Sequence, residues 1–173
     1  CDLFGVTHIV NTGVAGSLDA AIDIADLVVS TDALYHDMDV TPLGYEPGQL
    51  PGRDCLAFPA DPALRAAIEH AAAVAAPDVH VFSGRVVSGD QFIASSQAKE
   101  RLAQEFGGMC CEMEGTAIAQ AAWLNEVPFV VVRAISDKPG AVGTHPVEWV
   151  RAPDWTLFGR FQDAAEGLVR LVN

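Results

Sequence analysis

Pro128-Phe129-Val130-Val131-Val132-Arg133-Ala134-Ile135-Ser136-Asp137 is the clearest strand of the chain. From 128 to 135 it is apolar and rich in β-branched residues, the pattern of a strand covered on both faces of a sheet. Arg133 interrupts the run and calls for a buried acid, with a structural ion pair as the plainest outcome. Asp137 closes it. A carboxylate held beside such residues needs a partner or a task, because an unpaired buried charge is costly. Cys110-Cys111-Glu112-Met113-Glu114-Gly115 repeats the situation, with two carboxylates opening a helix-like segment over 115–124. Two such sites suggest an acid and an anchor in one pocket.

Outward from these stretches, strands and helices alternate. Residues 7–12 read as a short buried strand running into Gly13-Val14-Ala15-Gly16, a small-residue loop. Residues 27–30 read as a second strand. Residues 35–52 are rich in Asp, Pro and Gly and read as a long loop, of a length that usually carries function or meets a partner. Asp61-Pro62 starts a helix, with a capping carboxylate and Pro at the first helical position, that runs to Ala76 before Pro77. A strand follows over 79–87. Ser96 caps a helix to Phe106, stopped by Gly107-Gly108. Met113, Ala117, Ala121 and Leu124 share one face of the next helix, and a last helix is predicted from about 154 to 172. The alternation predicts one α/β domain over 1–173, with a mixed, largely parallel central sheet flanked by helices. In such sheets ligands gather at the carboxyl ends of strands. Residues 13–16, 88–93 and 136–137 all stand at predicted strand ends, which points to a small-molecule site.

Composition narrows the function. The 173 residues suffice for one domain with a sizeable core. The formal net charge is −13 and the ten Lys and Arg are scattered, which disfavours nucleic acid as a partner, since phosphate contacts need a basic footprint. No apolar run is long enough to span a bilayer, and no signal-peptide pattern is visible. The chain starts at Cys1, so the expected natural start lies upstream. The four cysteines, Cys1, Cys55, Cys110 and Cys111, form no C-x-x-C pair. They suit a reducing, cytoplasmic setting and match no zinc spacing.

Each motif has a plain reading beside the functional one. Residues 11–16 can bring backbone amides close to a ligand, or simply turn the chain. They are neither a Walker loop nor a full G-x-G-x-x-G. Phe92, just past a strand, can stack on a flat base or sit in the core. Asp90 equally suits a turn. Glu112 and Glu114, two apart, point to different faces of a helix, or both favour its N-terminus through the dipole. His36-Asp37-Met38-Asp39 looks superficially like a metal patch, but nothing completes a coordination sphere. The remaining histidines, His145 among them, show no triad context, so acyl transfer has no basis.

Five stretches carry a resemblance: NTGVAGSLD (11–19), YHDMDVTPLGYEPGQLPG (35–52), VVSGDQFIAS (86–95), CEMEGTAIA (111–119) and VPFVVVRAISD (127–137). Spread over about four-fifths of the chain, they resemble the 5′-methylthioadenosine/S-adenosylhomocysteine nucleosidases of the purine nucleoside phosphorylase-like superfamily. The resemblance implies a nucleoside phosphorylase-like fold and a hydrolase of methionine salvage. Such an enzyme cleaves the N-glycosidic bond of 5′-thioadenosines to adenine and a 5-thioribose, with no cofactor and no metal. It implies Asp137 as the general acid that protonates N7 of adenine, oriented by Ser136. Glu114 would bind the ribose hydroxyls, Met113 lie against the sugar, Phe92 stack on adenine and the Ile93 backbone read its edge. Ala15 and Gly16 would line the pocket, where Val14 offers no hydroxyl. Leu43, Tyr45 and Pro51 match a loop reaching the 5′-thio pocket of a neighbouring subunit, so a homodimer is expected. Family members carry several dozen further N-terminal residues, which supply the first strands of the sheet and a water-activating glutamate. The expectation is an N-terminally incomplete domain and a poor catalyst as it stands. A phosphorolytic relative, a hydrolase of aminofutalosine and a non-catalytic nucleoside-binding module are the alternatives.

Overall fold

The apolar run at 129–135 lies in a strand that, among the described residues, closes a sheet into a ring. The computed structural model describes residues 1 and 3–138. Along the chain come β1 (Ile9–Ser17), β2 (Leu27–Tyr35), a 3-10 turn (Thr41–Leu43), β3 (Phe58–Pro59), α1 (Pro62–Ala75) and β4 (Val81–Ser88). Then follow α2 (Ser96–Phe106), β5 (Gly108–Glu112), α3 (Gly115–Leu124) and β6 (Phe129–Asp137). The strand order is β3-β2-β4-β5-β1-β6, and β2 also pairs with β6. β1–β6, β2–β4 and β4–β5 are parallel and have the longer registers. β1–β5, β2–β3 and β2–β6 are antiparallel. The sheet is thus mixed and largely parallel, and β2-β4-β5-β1-β6 form a ring. The edge of β2 opposite β4 is shared: Leu27 to Val29 pair with β6, and Asp32 and Ala33 with β3.

Burial explains the strand composition. Every residue of β6 except Ser136 is buried, as expected for a strand covered on both faces. Its valines join Val28, Val29, Val86, Leu64 and Ile68 of α1, and Ala119 and Ala122 of α3, in one cluster. α2 covers β5 through Leu102 and Phe106, which meet Leu18, Leu34 and Val87. Asp61 caps α1, its carboxylate accepting from the Leu64 amide at 2.7 Å. Ser95, one residue before the expected cap, accepts from the Ala98 amide at 3.2 Å and starts α2.

The structure departs from the sequence expectations in four places. Residues 13–16 are not a loop but the second half of β1, paired with β6 and β5. Small residues belong there because Arg133 stands opposite Gly13, and a Cβ on Gly13 would lie 1.9 Å from its Nη1. β2 continues past residue 30 to Tyr35. Residues 108–112 form the strand β5, so Glu112 ends a strand while Glu114 is the N-cap of α3. Finally, α3 buries Gly115, Thr116, Ala119 and Ala122, whereas Met113, Ala117, Ala121 and Leu124 face outward. In an alanine-rich helix, apolar spacing alone does not choose between the two faces. The helix predicted at 154–172 lies outside the described residues.

Candidate active site

The ends of β1, β5 and β6, with the segment after β4, converge on a cleft of about 180 Å³. Its lining joins Val14, Ala15 and Gly16 to Gln91, Phe92 and Ile93, to Cys111 through Glu114, and to Ser136 and Asp137. Asp137, Ser136, Glu114, Met113, Phe92, Ile93, Ala15 and Gly16 thus line one cleft.

A bulge shapes the acid end. Ala15 pairs with Ile135 but Gly16 pairs with Asp137, leaving Ser136 as an extra residue in β6. Successive side chains of a regular strand point to opposite faces; an extra residue breaks that alternation and re-aims its neighbour. Ser136 and Asp137 consequently line the same cleft. The Ser136 hydroxyl lies 2.8 Å from Asp137 Oδ1, to which it donates, and 3.3 Å from the Ala15 carbonyl. Asp137 is only 9% exposed. Burial pushes its carboxyl above the ordinary carboxylate range, and the bond from Ser136 opposes this without cancelling it. Beside it, the Cys111 thiol is pushed up to about 12, first by burial and then by Asp137 and Glu112. It is a neutral apolar wall rather than a nucleophile.

The opposite rim is softer. Phe92 and Met113 keep 52% and 43% exposure respectively, and Ile93 is buried behind them. Glu114 stands exposed at the start of α3 and makes no side-chain capping bond. Glu112, by contrast, is buried and engaged. Its carboxylate pairs with Arg133, accepts from Ser88, and takes the amides of Glu114 and Gly115. Arg133 also donates to Asn11. The buried acid that Arg133 called for is Glu112, and the pair is the structural one.

Leu43, Tyr45 and Pro51 do not line the cleft. Leu43 is 72% exposed, Pro51 is exposed, and the half-buried Tyr45 accepts from the Gly52 amide through its hydroxyl at 3.1 Å. Leu50 packs on the main core. Among the described residues no group of His, Cys, Asp and Glu is arranged to hold a metal ion, the 36–39 patch included. Gln91 and Cys111 join the cleft with no motif in the sequence to mark them, as does the Ser88–Thr116 bond beside the lining. The last was detectable only as a hydroxyl at the end of a strand.

The family model described as phosphorylase superfamily matches residues 1–166. The chain belongs to the phosphorylase superfamily. Within that superfamily it is 38% identical over 158 residues to the 5′-methylthioadenosine/S-adenosylhomocysteine nucleosidase of Treponema pallidum (strain Nichols). That match covers 80% of this chain and 59% of that protein. The chain spans about three-fifths of the length of the curated relatives it matches. Among solved superfamily structures it is similar to the S-adenosylhomocysteine nucleosidase of Streptococcus pyogenes in complex with 5-methylthiotubericidin. The TM-score is 0.85 at 28% identity, covering 99% of this chain and 71% of that one. It is also similar to the native futalosine hydrolase of Helicobacter pylori strain 26695, with a TM-score of 0.85 at 27% identity, covering 97% and 70%.

Proposed function

We propose that this chain carries the nucleoside site of an N-glycosidic hydrolase acting on 5′-methylthioadenosine and S-adenosylhomocysteine. The products are adenine and a 5-thioribose, the latter formed when water adds to the anomeric carbon and releases a proton that replaces the one given to the base. The observation that carries this reading is Asp137, a buried carboxyl whose pKa is raised by burial, held by Ser136 at the end of β6 and facing a rim of Phe92, Met113 and Glu114. Breaking the bond between base and sugar leaves negative charge on the base and positive charge on an oxocarbenium-like sugar. A carboxyl that retains its proton nearer neutrality supplies that proton to N7 and makes adenine a better leaving group. Glu114, unengaged by the helix cap, binds the ribose hydroxyls and stabilises the positive sugar. Phe92 offers a face for the base, Met113 lies against the sugar, and the Ile93 backbone reads the base edge.

The same reading makes the protein a homodimer. The 3-10 turn presents Leu43 outward, and Leu50 and the Tyr45–Gly52 bond anchor the loop that bears it. An exposed apolar group on an anchored loop suits an interface, and from there Leu43, Tyr45 and Pro51 reach the 5′-thio pocket of the second copy. No helix of the described residues is long and apolar enough to cross a membrane. With the four cysteines free of disulfides, a cytoplasmic setting in methionine salvage fits. The likeness to a futalosine hydrolase supports a second reading, in which the 5′-substituent is larger and the bond broken is the same.

The test is release of free base from 5′-methylthioadenosine, S-adenosylhomocysteine and aminofutalosine, with and without phosphate. Phosphate-independent adenine release from the first two supports the proposal. Release from aminofutalosine alone moves it to the second reading. Strict phosphate dependence makes the chain a phosphorylase, and tight binding without release, kept when the N-terminal residues that its relatives carry are joined to it, makes it a nucleoside-binding module.

A further inference from the structure

The start of α3 is capped by side chains from two strands rather than by its own N-cap residue. The first amides of a helix have no partner within it, and a Ser, Thr, Asp or Asn at the N-cap ordinarily takes one of them with its own side chain. Glu114 occupies that position and does not. Glu112, at the end of β5, accepts from the Glu114 amide at 3.1 Å and from the Gly115 amide at 2.7 and 2.9 Å. The Thr116 amide donates instead to the Ser88 hydroxyl at the end of β4, at 2.8 Å. The Thr116 hydroxyl adds a second bond to the same oxygen at 2.7 Å, and Ser88 donates its own proton to Glu112. One donor and two acceptor positions use a hydroxyl fully, so Ser88 has a single satisfied arrangement. Gly115 completes the fit: a Cβ there would lie 2.9 Å from Glu112 Oε1.

We propose that Glu112 and Ser88 are positioning residues that cap α3 from outside, leaving the carboxylate of Glu114 unspent and fixed toward the cleft. The inference rests on the reading of Glu114 as the contact to the ribose hydroxyls. It assigns a distinct task to the first glutamate of the pair: the Glu112 carboxylate is engaged by Arg133, Ser88 and two amides, and its ion pair ties the cap to β6, the strand of Asp137.

The test measures affinity by calorimetry for two non-cleavable ligands. One is a C-nucleoside carrying a 5′-methylthioribose, and the other is its 2′,3′-dideoxy counterpart. Wild-type protein is expected to prefer the diol. Glu114→Gln should abolish that preference. Glu112→Gln and Ser88→Ala should each reduce it by roughly 3- to 10-fold, the range of one hydrogen bond, with dideoxy affinity unchanged. Glu112→Gln added to Glu114→Gln should cost the diol nothing further. In Ser88→Ala, hydrogen exchange at the Gly115 and Thr116 amides should speed up. Should Glu112→Gln fail to fold, Ser88→Ala and the near-isosteric Thr116→Val decide the matter. A diol preference kept in Ser88→Ala and Thr116→Val overturns the positioning role, as does an equal loss for both ligands. Absence of any diol preference in the wild type sinks the reading of Glu114 itself, a different failure.

Discussion

Asp137 and Glu114 carry the same chemical group in opposite environments, and their substitutions should fail differently. Asn at 137 keeps the size and much of the hydrogen bonding but delivers no proton. In an active form of the protein, Asp137→Asn should lower turnover by roughly 10²–10⁴-fold while inhibitor affinity falls far less. Glu114→Gln should damage both. Near-wild-type turnover in Asp137→Asn would leave Asp137 a structural strand-end acid. Burial also has a stability side. A carboxyl whose pKa is raised on folding contributes stability that is full below its unfolded value, about 3.9, and is lost as pH rises through the folded one. Asp137→Asn should therefore melt above wild type at neutral pH, with the gap closing toward pH 3; thermal melts across that range decide it. His36 has the reverse sign. Burial lowers its pKa, so its contribution is present above about pH 6.5 and lost as pH falls through the lower folded value. His36→Gln should narrow the wild-type loss of melting temperature between pH 7 and pH 5, and an unchanged slope would count against this. Asp137 and Arg133 were legible as residues because each breaks an apolar run. The task of Glu112 was not, because it depends on which element the residue ends.

Among the elements, β6 and α1 were legible from composition and caps, since an unbroken β-branched run and an Asp-Pro start each have one physical reading. β1 was cut short because glycine ordinarily punctuates strands, whereas here Gly13 makes room for a guanidinium on the neighbouring strand. That close approach gives a prediction. Gly13→Ala places a methyl where Arg133 Nη1 lies, and Arg133 is itself held by Glu112 and Asn11. Overpacking of this kind costs about 1–3 kcal/mol, read as a lower denaturant midpoint with an unchanged slope. A midpoint equal to wild type would mean that the guanidinium moves freely. The bulge at Ser136 had no sequence signal at all: register belongs to a pair of strands, and either strand read alone looks regular.

At the scale of the molecule, the alternation of elements disclosed a mixed sheet but not its closure, because a short antiparallel contact between β2 and β6 leaves no mark in either strand's composition. The loop of residues 35–52 was legible as a loop, and its proposed partner is a second copy of the chain. Tyr45→Asp should weaken self-association and 5′-substituent binding together, followed by sedimentation velocity and ligand titration. A monomeric, fully active wild type would end that idea. The closed ring also bears on how the chain is made. Leu27 meets Ala134 across more than a hundred residues of sequence, a separation that slows folding because loop entropy must be lost before the contact forms. On the ribosome, β2 can pair with β3 and β4 well before β6 emerges to close the ring. That same strand delivers Asp137 and the partner of Glu112, so the proposed proton donor arrives with the closing strand. A nascent chain that stops short of it has neither a sealed sheet nor the carboxyl proposed to act in the cleft.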